Sequence, residues 1–158
     1  MCPIGGNLWC GVWSTEGYRL PVSDFRWPVR VYYEDTDSGG VVYYANYLRF
    51  MERARTEWMR RLGFEQDALI REEGILFAVR SACLEYLRPA RFNDLLEVSV
   101  RLCERRRASL VFEQVVSRAG DVEHPLCTGR FRIACLLVAS FRSTPIPEVI
   151  LKELPHVD

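Results

Sequence analysis

Hydrophobic positions along the chain predict one long helix set among strands. One apolar stripe at helical spacing is formed by Tyr47, Phe50, Met51, Ala54 and Trp58, and it predicts an amphipathic helix with one buried face. Gly63, directly after Leu62, predicts the end of this helix, since glycine readily takes the left-handed conformation found there. A second, shorter helix is predicted over residues 65–73.

The period of the apolar pattern changes to two outside these helices, which predicts strands. They are expected over residues 27–34, 75–86, 94–104, 108–118 and 128–137. Because the later strands follow one another through short connections, we expect antiparallel pairing. The fold class predicted is therefore α+β, with a sheet that curls around the large aromatic stripe of the helix.

The length of 158 residues predicts one compact domain. Residues 1–24 show no periodicity and are predicted as a loosely ordered extension. Residues 25–144 are predicted as the domain, and residues 145–158 as a C-terminal tail with a short helix.

Charge and hydropathy exclude several classes of function. The 21 basic and 21 acidic residues cancel, so nothing global attracts nucleic acid or an anionic membrane. The longest apolar run, residues 133–139, is too short to span a bilayer, and the first residues lack a basic segment typical of a secretory signal. We therefore expect a cytoplasmic protein.

The six cysteines indicate neither a metal site nor a disulfide framework. None of them forms a CxxC pair, and only two histidines are present to join them, so no metal is expected. Cys83, Cys103 and Cys135 fall inside apolar strand-like runs, which suits buried, reduced thiols in a reducing compartment.

The segment that carries chemistry is YEDTDSGGVVYYANY, residues 33–47. It places carboxylates before two glycines and then the first turn of the long helix, whose amide groups have no intrahelical partner. A carboxylate beside such donors can serve acyl transfer, because one group activates the attack and the amides hold the oxyanion. Turn and capping roles are the plain alternative. A calcium loop is excluded, because Asn46 stands where the bidentate glutamate is required.

Residues 27–62, above all VRVYYEDTDSGGVVYYANYLRFMERARTEW, resemble the Tol–Pal cluster-associated acyl-CoA thioesterases, relatives of the 4-hydroxybenzoyl-CoA thioesterases. The resemblance continues through FAVRSACLEYLRPARFNDLLEVSVRL and SLVFEQ and covers about residues 25–140. It implies a hotdog fold, in which an antiparallel sheet wraps one long helix. It also implies a short-chain or aromatic acyl-CoA substrate, no cofactor, and homodimers or homotetramers with active sites between subunits.

The same resemblance assigns roles within the motif. Asp37 matches the catalytic carboxylate, as general base or as nucleophile, and the backbone N–H of Tyr44 matches the group that polarises the thioester carbonyl. Relatives commonly carry histidine where this chain has Tyr44, which leaves the amide role intact and removes any acid–base role of that side chain. Gly40 and Asn46 are expected to contact substrate, and Asn46 alternatively fixes the start of the helix.

Other interpretations of the sequence stay open. A non-catalytic module that binds acyl groups, acyl carrier protein or lipid-synthesis enzymes would use the same groove, whereas a hotdog dehydratase would need a histidine near the motif, which neither His124 nor His156 supplies. The arginines at 105–107 would hold coenzyme A phosphates or simply be solvated, and the same applies to Arg88 and Arg91.

Overall fold

The computed structural model describes residues 25–157, which form one antiparallel sheet with a long helix packed against it. In chain order the elements are β1 (Phe25–Arg30), α1 (Asn46–Arg61), α2 (Gln66–Ala68), β2 (Ile75–Tyr86), β3 (Leu95–Arg106), β4 (Ser109–Arg118), β5 (Cys127–Leu137) and α3 (Glu148–Glu153). The strand order is β1-β3-β4-β5-β2, and every neighbouring pair is antiparallel. The predicted α+β class is confirmed.

Helix α1 buries the predicted stripe against the sheet. Tyr47, Phe50, Met51, Ala54 and Trp58 are all at most 6% exposed. The ring of Trp58 meets Phe112 of β4 edge to face, with 5.2 Å between centroids. Burial of these large side chains supplies the main hydrophobic stabilisation of the helix, at roughly 1.5–3 kcal/mol for each fully buried large side chain.

Gly63 ends α1 as predicted. Its φ of 91° lies in the left-handed region. Its N–H donates to the carbonyl of Arg60 at 2.9 Å, and the N–H of Phe64 donates to that of Met59 at 3.0 Å. These two hydrogen bonds together form a Schellman motif, which satisfies carbonyls that the last turn of the helix leaves unpaired. The following helix differs slightly from its prediction, because α2 gives way to a π-helical turn over Leu69–Glu73.

Gly129 of β5 lies directly opposite a buried side chain of the helix. A Cβ atom there would lie 2.9 Å from the Sδ of Met51 and 2.7 Å from the ring of Phe131. Both neighbours are buried in the core. The absence of a side chain at Gly129 therefore makes room for the end of the Met51 side chain and for the Phe131 ring.

Two predicted boundaries are wrong. The first strand ends at Arg30 instead of continuing to Glu34, because the chain turns into a 3₁₀ segment at Tyr33–Asp35. The predicted tail is part of the packed domain: Ile146, Ile150 and Leu154 are each at most 3% exposed and belong to the core. The extension predicted over residues 1–24 lies outside the described residues.

The four cysteines within residues 25–157 divide into two groups. Cys103, Cys127 and Cys135 are free thiols. Burial raises the pKa of Cys127 to about 12 and that of Cys135 to about 11, so both stay neutral at physiological pH. Cys83, which is only half-buried, is disulfide-bonded, and the prediction of a reduced thiol is wrong at that position.

Candidate active site

The loop before α1 is held in shape by the backbone of Asp35. Its carbonyl accepts hydrogen bonds from the N–H of Tyr43 and from the side-chain amide of Asn46, both at 2.9 Å. Its carboxylate accepts the N–H of Tyr32 at 2.8 Å. Asn46 is 6% exposed, so its amide spans a buried gap between the loop and the helix. The loop and the first turn of α1 therefore form one connected unit.

Asp37 lies exposed at the tip of this loop. One carboxylate oxygen, Oδ1, accepts the N–H of Gly39 at 2.8 Å. A Cβ at Gly39 would stand 3.1 Å from that oxygen, and Gly40 closes the turn with a φ of 71°. Within residues 25–157, the other carboxylate oxygen of Asp37 has no hydrogen-bond partner. The loop thus orients the carboxylate with one oxygen and leaves the second available.

The two residues directly before α1 present unpaired backbone amides beside this loop. Among the described residues, the backbone N–H groups of Tyr44 and Ala45 have no acceptor. Ala45 occupies the N-cap position and supplies no side-chain cap. The helix dipole adds partial positive charge at this end. These donors are suited to hold an oxyanion or a polarised carbonyl oxygen.

Four tyrosines surround the same end of the helix. The hydroxyl of Tyr86, at the end of β2, donates to the carbonyl of Tyr44 at 3.1 Å. The rings of Tyr43 and Tyr44 lie 4.6 Å apart, and Tyr47 lies 5.6 Å from Tyr86. The hydrogen bond with Tyr44, followed by the charge of that side chain, burial and the charge of Asp37, raises the pKa of Tyr43. We call the surface formed by Asp37, Tyr43, Tyr44 and Tyr86 the mouth of α1.

Tyr47 ties the mouth to the loop before β3. Its hydroxyl accepts the N–H of Ala90 at 2.9 Å, and the carbonyl of Ala90 accepts the N–H of Val42. Burial raises the pKa of Tyr47, so the hydroxyl stays protonated and keeps its place in the packing. A bridge between Val41 and Arg91 extends this contact. The loop that carries Asp37 is therefore supported by Tyr47 of α1 and by the segment at Ala90 and Arg91, which is distant from it in sequence.

The arginines considered for phosphate binding have mixed surroundings. Arg105 donates to the carbonyl of Leu151 at 3.0 Å, and Arg106 forms a 2.7 Å ion pair with Glu104. The first contact ties the end of β3 to α3, and the second lies within β3. Arg88 is exposed, in the loop that contacts the motif through Ala90.

Sequence reasoning placed Asp37, Gly40, Tyr44 and Asn46 in one site, and the structure brings all four to one end of α1. It missed Tyr86, which stands 42 residues after Tyr44. The sequence offers no local signal for this contact, because it depends on where β2 ends relative to the helix. The amide of Asn46 binds the Asp35 carbonyl, which corresponds to the helix-fixing alternative.

Comparison with known proteins relates the chain to thioesterases. Residues 31–154 match the family model described as the thioesterase-like superfamily. The chain is 43% identical to the acyl-CoA thioester hydrolase YbgC of Escherichia coli O6:H1, over 82% of this chain and 94% of that protein. It is 38% identical to the acyl-CoA thioesterase YbgC of Haemophilus influenzae, over 84% and 96% respectively.

A solved structure agrees with these relatives. The crystal structure of a probable thioesterase from Bartonella henselae superposes with a TM-score of 0.74 at 33% identity. The match covers 79% of this chain and 100% of that chain. Helix α1, strands β2 to β5 and the loop that carries Asp37 all fall inside residues 31–154, the part of the chain that matches the family model, and β1 lies directly before it.

Proposed function

Since this chain belongs to the thioesterase-like superfamily and is an acyl-CoA thioester hydrolase of the YbgC kind, we propose that it cleaves short-chain or aromatic acyl-CoA esters with Asp37 as the catalytic carboxylate. The observation that carries this proposal is the open carboxylate oxygen of Asp37 beside the unpaired amides of Tyr44 and Ala45. These are the two parts that hydrolysis of a thioester requires.

In the proposed mechanism the thioester carbonyl binds the N–H of Tyr44, which polarises it. Asp37 then either takes a proton from a water that attacks the carbonyl carbon, or attacks that carbon itself to give a mixed anhydride that water cleaves. Both routes break the C–S bond and release a carboxylic acid and the CoA thiol. Gly40 allows the chain to approach the substrate closely, and Asn46 holds the loop in register with the helix.

The test is Asp37→Asn, assayed with a panel of acyl-CoA esters and a thiol reagent that reports released CoA. We expect the rate to fall by ~100- to 10,000-fold, because the general-base or nucleophilic oxygen is lost. Asp35→Asn is the matched control, since an asparagine oxygen still accepts the Tyr32 N–H. Retention of full activity in Asp37→Asn would remove this residue from its role, and absence of turnover in the unmodified protein would favour the binding-module alternative.

We further propose a homodimer formed through β2. This strand is an edge of the sheet, spans 12 residues and carries Val79, which is 51% exposed. The opposite edge strand, β1, has six residues and contains Pro28, which has no backbone N–H to donate to a strand of another subunit. Light scattering after gel filtration should show a dimer or a tetramer, and Val79→Lys should weaken it. A fully active monomer would contradict the predicted sharing of sites between subunits.

Over residues 25–157, no helix is both long and apolar enough to cross a membrane. A cytoplasmic location, a role beside the Tol–Pal system and docking of acyl carrier protein or lipid-synthesis enzymes remain proposals. The free Cys103, Cys127 and Cys135 favour a reducing compartment, whereas the disulfide at Cys83 weighs against it. Alkylation in freshly lysed cells, followed by mass spectrometry of the Cys83 peptide, distinguishes a reducing from an oxidising compartment. A labelled Cys83 thiol supports a cytoplasmic location, and a disulfide at Cys83 contradicts it.

A further inference from the structure

A second polar feature lies inside the fold, away from the mouth of α1. The side chain of Arg55 is buried, with only 8% of the residue exposed. Its NH1 donates to the side-chain carbonyl of Gln114 at 2.6 Å, and the guanidinium carbon sits 4.3 Å from the centre of the Phe131 ring. Within residues 25–157, Arg55 makes no direct ion pair, and Gln114 is its hydrogen-bond acceptor, with the charge of Glu52 acting from further away. Burying a cation with so few polar partners costs free energy.

Arg55 also borders a cleft of about 80 Å³. We call it the Arg55 cleft, bounded mainly by Arg55, Met59, Phe77, Phe112 and Ile133. Met59, Phe77, Phe112 and Ile133 make most of these walls apolar, and Glu52 and Gln66 also line the cleft. The volume is several times the roughly 10–15 Å³ that one water needs, so the cleft has room for a small organic molecule.

Charges around the cleft favour an anionic group at its inner end. Glu52 is exposed at the rim, where its carboxylate accepts the hydroxyl of Thr56 at 2.8 Å, and Gln66 donates to the same hydroxyl. Arg55 is the buried charge. Burial lowers its pKa to about 10 and the charge of Glu52 opposes that shift, so the side chain remains a cation at neutral pH.

We propose that the Arg55 cleft binds a small carboxylate, with the guanidinium holding the carboxylate group and the apolar walls holding a short hydrocarbon body. The planar guanidinium presents several N–H donors in a geometry that matches a carboxylate. A phosphate dianion fits less well, because Glu52 stands at the rim and the walls are apolar. Gln114 keeps the guanidinium oriented, since its own amide is anchored on the carbonyls of Met51 and Ser99 at 3.0 and 3.3 Å.

This carboxylate has two chemical sources. The first is a free short-chain or aromatic acid, the class of product that thioester hydrolysis releases. The second is the distal carboxylate of a dicarboxylic acyl-CoA, whose chain would run along α1 from the mouth. Nine residues separate Asn46 from Arg55 on the helix, a rise of about 13 Å, so only a long diacid would reach. The second source rests on the proposed function, whereas the first does not.

The first experiment measures ligand affinity and does not require the protein to hydrolyse a substrate. The full chain is titrated by calorimetry with butyrate, hexanoate and benzoate, and in parallel with their neutral primary amides. We expect each acid to bind about tenfold or more tightly than its amide, because a charge-assisted pair is lost in the amide. Equal affinities of acid and amide would overturn a free acid as the ligand without any variant having to fold.

Two variants test whether the carboxylate binds at Arg55. Arg55→Met should abolish the preference for acid over amide, and Arg53→Met, an exposed arginine on the same helix, should keep it. Thermal unfolding of both variants checks that they are folded at the titration temperature. A preference that persists in folded Arg55→Met would place the carboxylate elsewhere, for example on the amides at Tyr44, and would overturn the proposal.

A kinetic arm separates the two sources. Sebacoyl-CoA and decanoyl-CoA have equal chain lengths and differ in the distal carboxylate. A higher kcat/KM for sebacoyl-CoA that disappears in Arg55→Met identifies the substrate tail as the ligand. Equal values, together with Arg55-dependent binding of free acids, identify the free acid. Absence of both effects overturns the proposal, and hydrolysis of butyryl-CoA or benzoyl-CoA in the same assay shows that the proposed function is unaffected.

Discussion

Helix α1 uses polar groups in opposite ways at its start and along its middle. At the mouth, the amides of Tyr44 and Ala45 and one oxygen of Asp37 are unpaired among the described residues and open to a ligand. Two to three turns further on, Arg55 is buried, and its partner Gln114 is 1% exposed with its amide bound to backbone carbonyls.

The difference follows from what surrounds each section. The mouth lies where the sheet ends, so water reaches its groups and unpaired donors cost little. The middle lies against β4 and β5, where an unpaired polar group costs about 1–3 kcal/mol. We therefore expect changes at the mouth to affect rate with little effect on stability, and changes at Gln114 to do the reverse.

The largest expected effect on stability comes from Gln114→Leu. The substitution keeps the volume and removes the acceptor of Arg55 along with two bonds to backbone carbonyls. We expect the free energy of unfolding to fall by about 3 kcal/mol, because a buried cation loses the acceptor that it has among the described residues. Urea denaturation followed by circular dichroism measures this loss. A change below the usual error of such experiments would mean that water replaces Gln114 fully.

Asn46→Ala tests the connection between the loop and the helix. The lost bond to the Asp35 carbonyl is buried, so we expect a stability loss of about 1–2 kcal/mol. Because the loop also carries Asp37, kcat should fall while KM changes less. Asn46→Asp is the matched variant, since it keeps the size and cannot donate to that carbonyl. Unchanged kcat in both would show that the loop keeps its shape without this bond.

Tyr86→Phe should give a smaller effect, confined to rate. Its hydroxyl holds the carbonyl of Tyr44, and Tyr86 is 47% exposed, so its loss costs little stability. We expect kcat to fall by about two- to tenfold, equivalent to roughly 0.5–1.4 kcal/mol, with the unfolding midpoint almost unchanged. The contrary result, a stability loss without a change in kcat, would assign Tyr86 to packing.

The smallest expected effect is that of pH. The mouth, formed by Asp37, Tyr43, Tyr44 and Tyr86, holds no histidine, and the interactions with Tyr44 raise the pKa of Tyr43 above its ordinary value. Between pH 7 and pH 9, kcat/KM should therefore change by less than about twofold. Replacement of Tyr44 by histidine, the residue common in relatives, should introduce a titration near pH 6.5. A step in the profile of the unmodified protein would point to a titrating group outside the mouth.

The sequence was sufficient where a pattern is local. The stripe of α1, the stop at Gly63 and the strand over residues 75–86 follow from spacing and from glycine's backbone freedom. The boundary of β1 was missed because Val31, Tyr32 and Tyr33 have strand-like side chains. In the fold, Val31 bonds instead to the turn at Asn93 and Asp94, and this tertiary contact overrides local propensity.

The site followed from the sequence only in part, for a similar reason. Asp37 and Tyr44 lie in one continuous motif, so both were identified. Arg55 was missed because an arginine on a helix is usually solvated, and nothing near it in sequence reveals that Gln114 and Phe131 close over it. Tyr86 depends in the same way on strand register, which no single segment encodes.

Gly129 of β5 lies opposite α1 between the mouth and Arg55. Met51 rests directly on it, one turn beyond Asn46 and one turn before Arg55. An added methyl group would force the end of the Met51 side chain, the Phe131 ring or both to move. A residue with no side chain thus shapes the core between the Asp37 loop and Arg55, and a design that grafts this helix onto another scaffold must leave the same space opposite Met51.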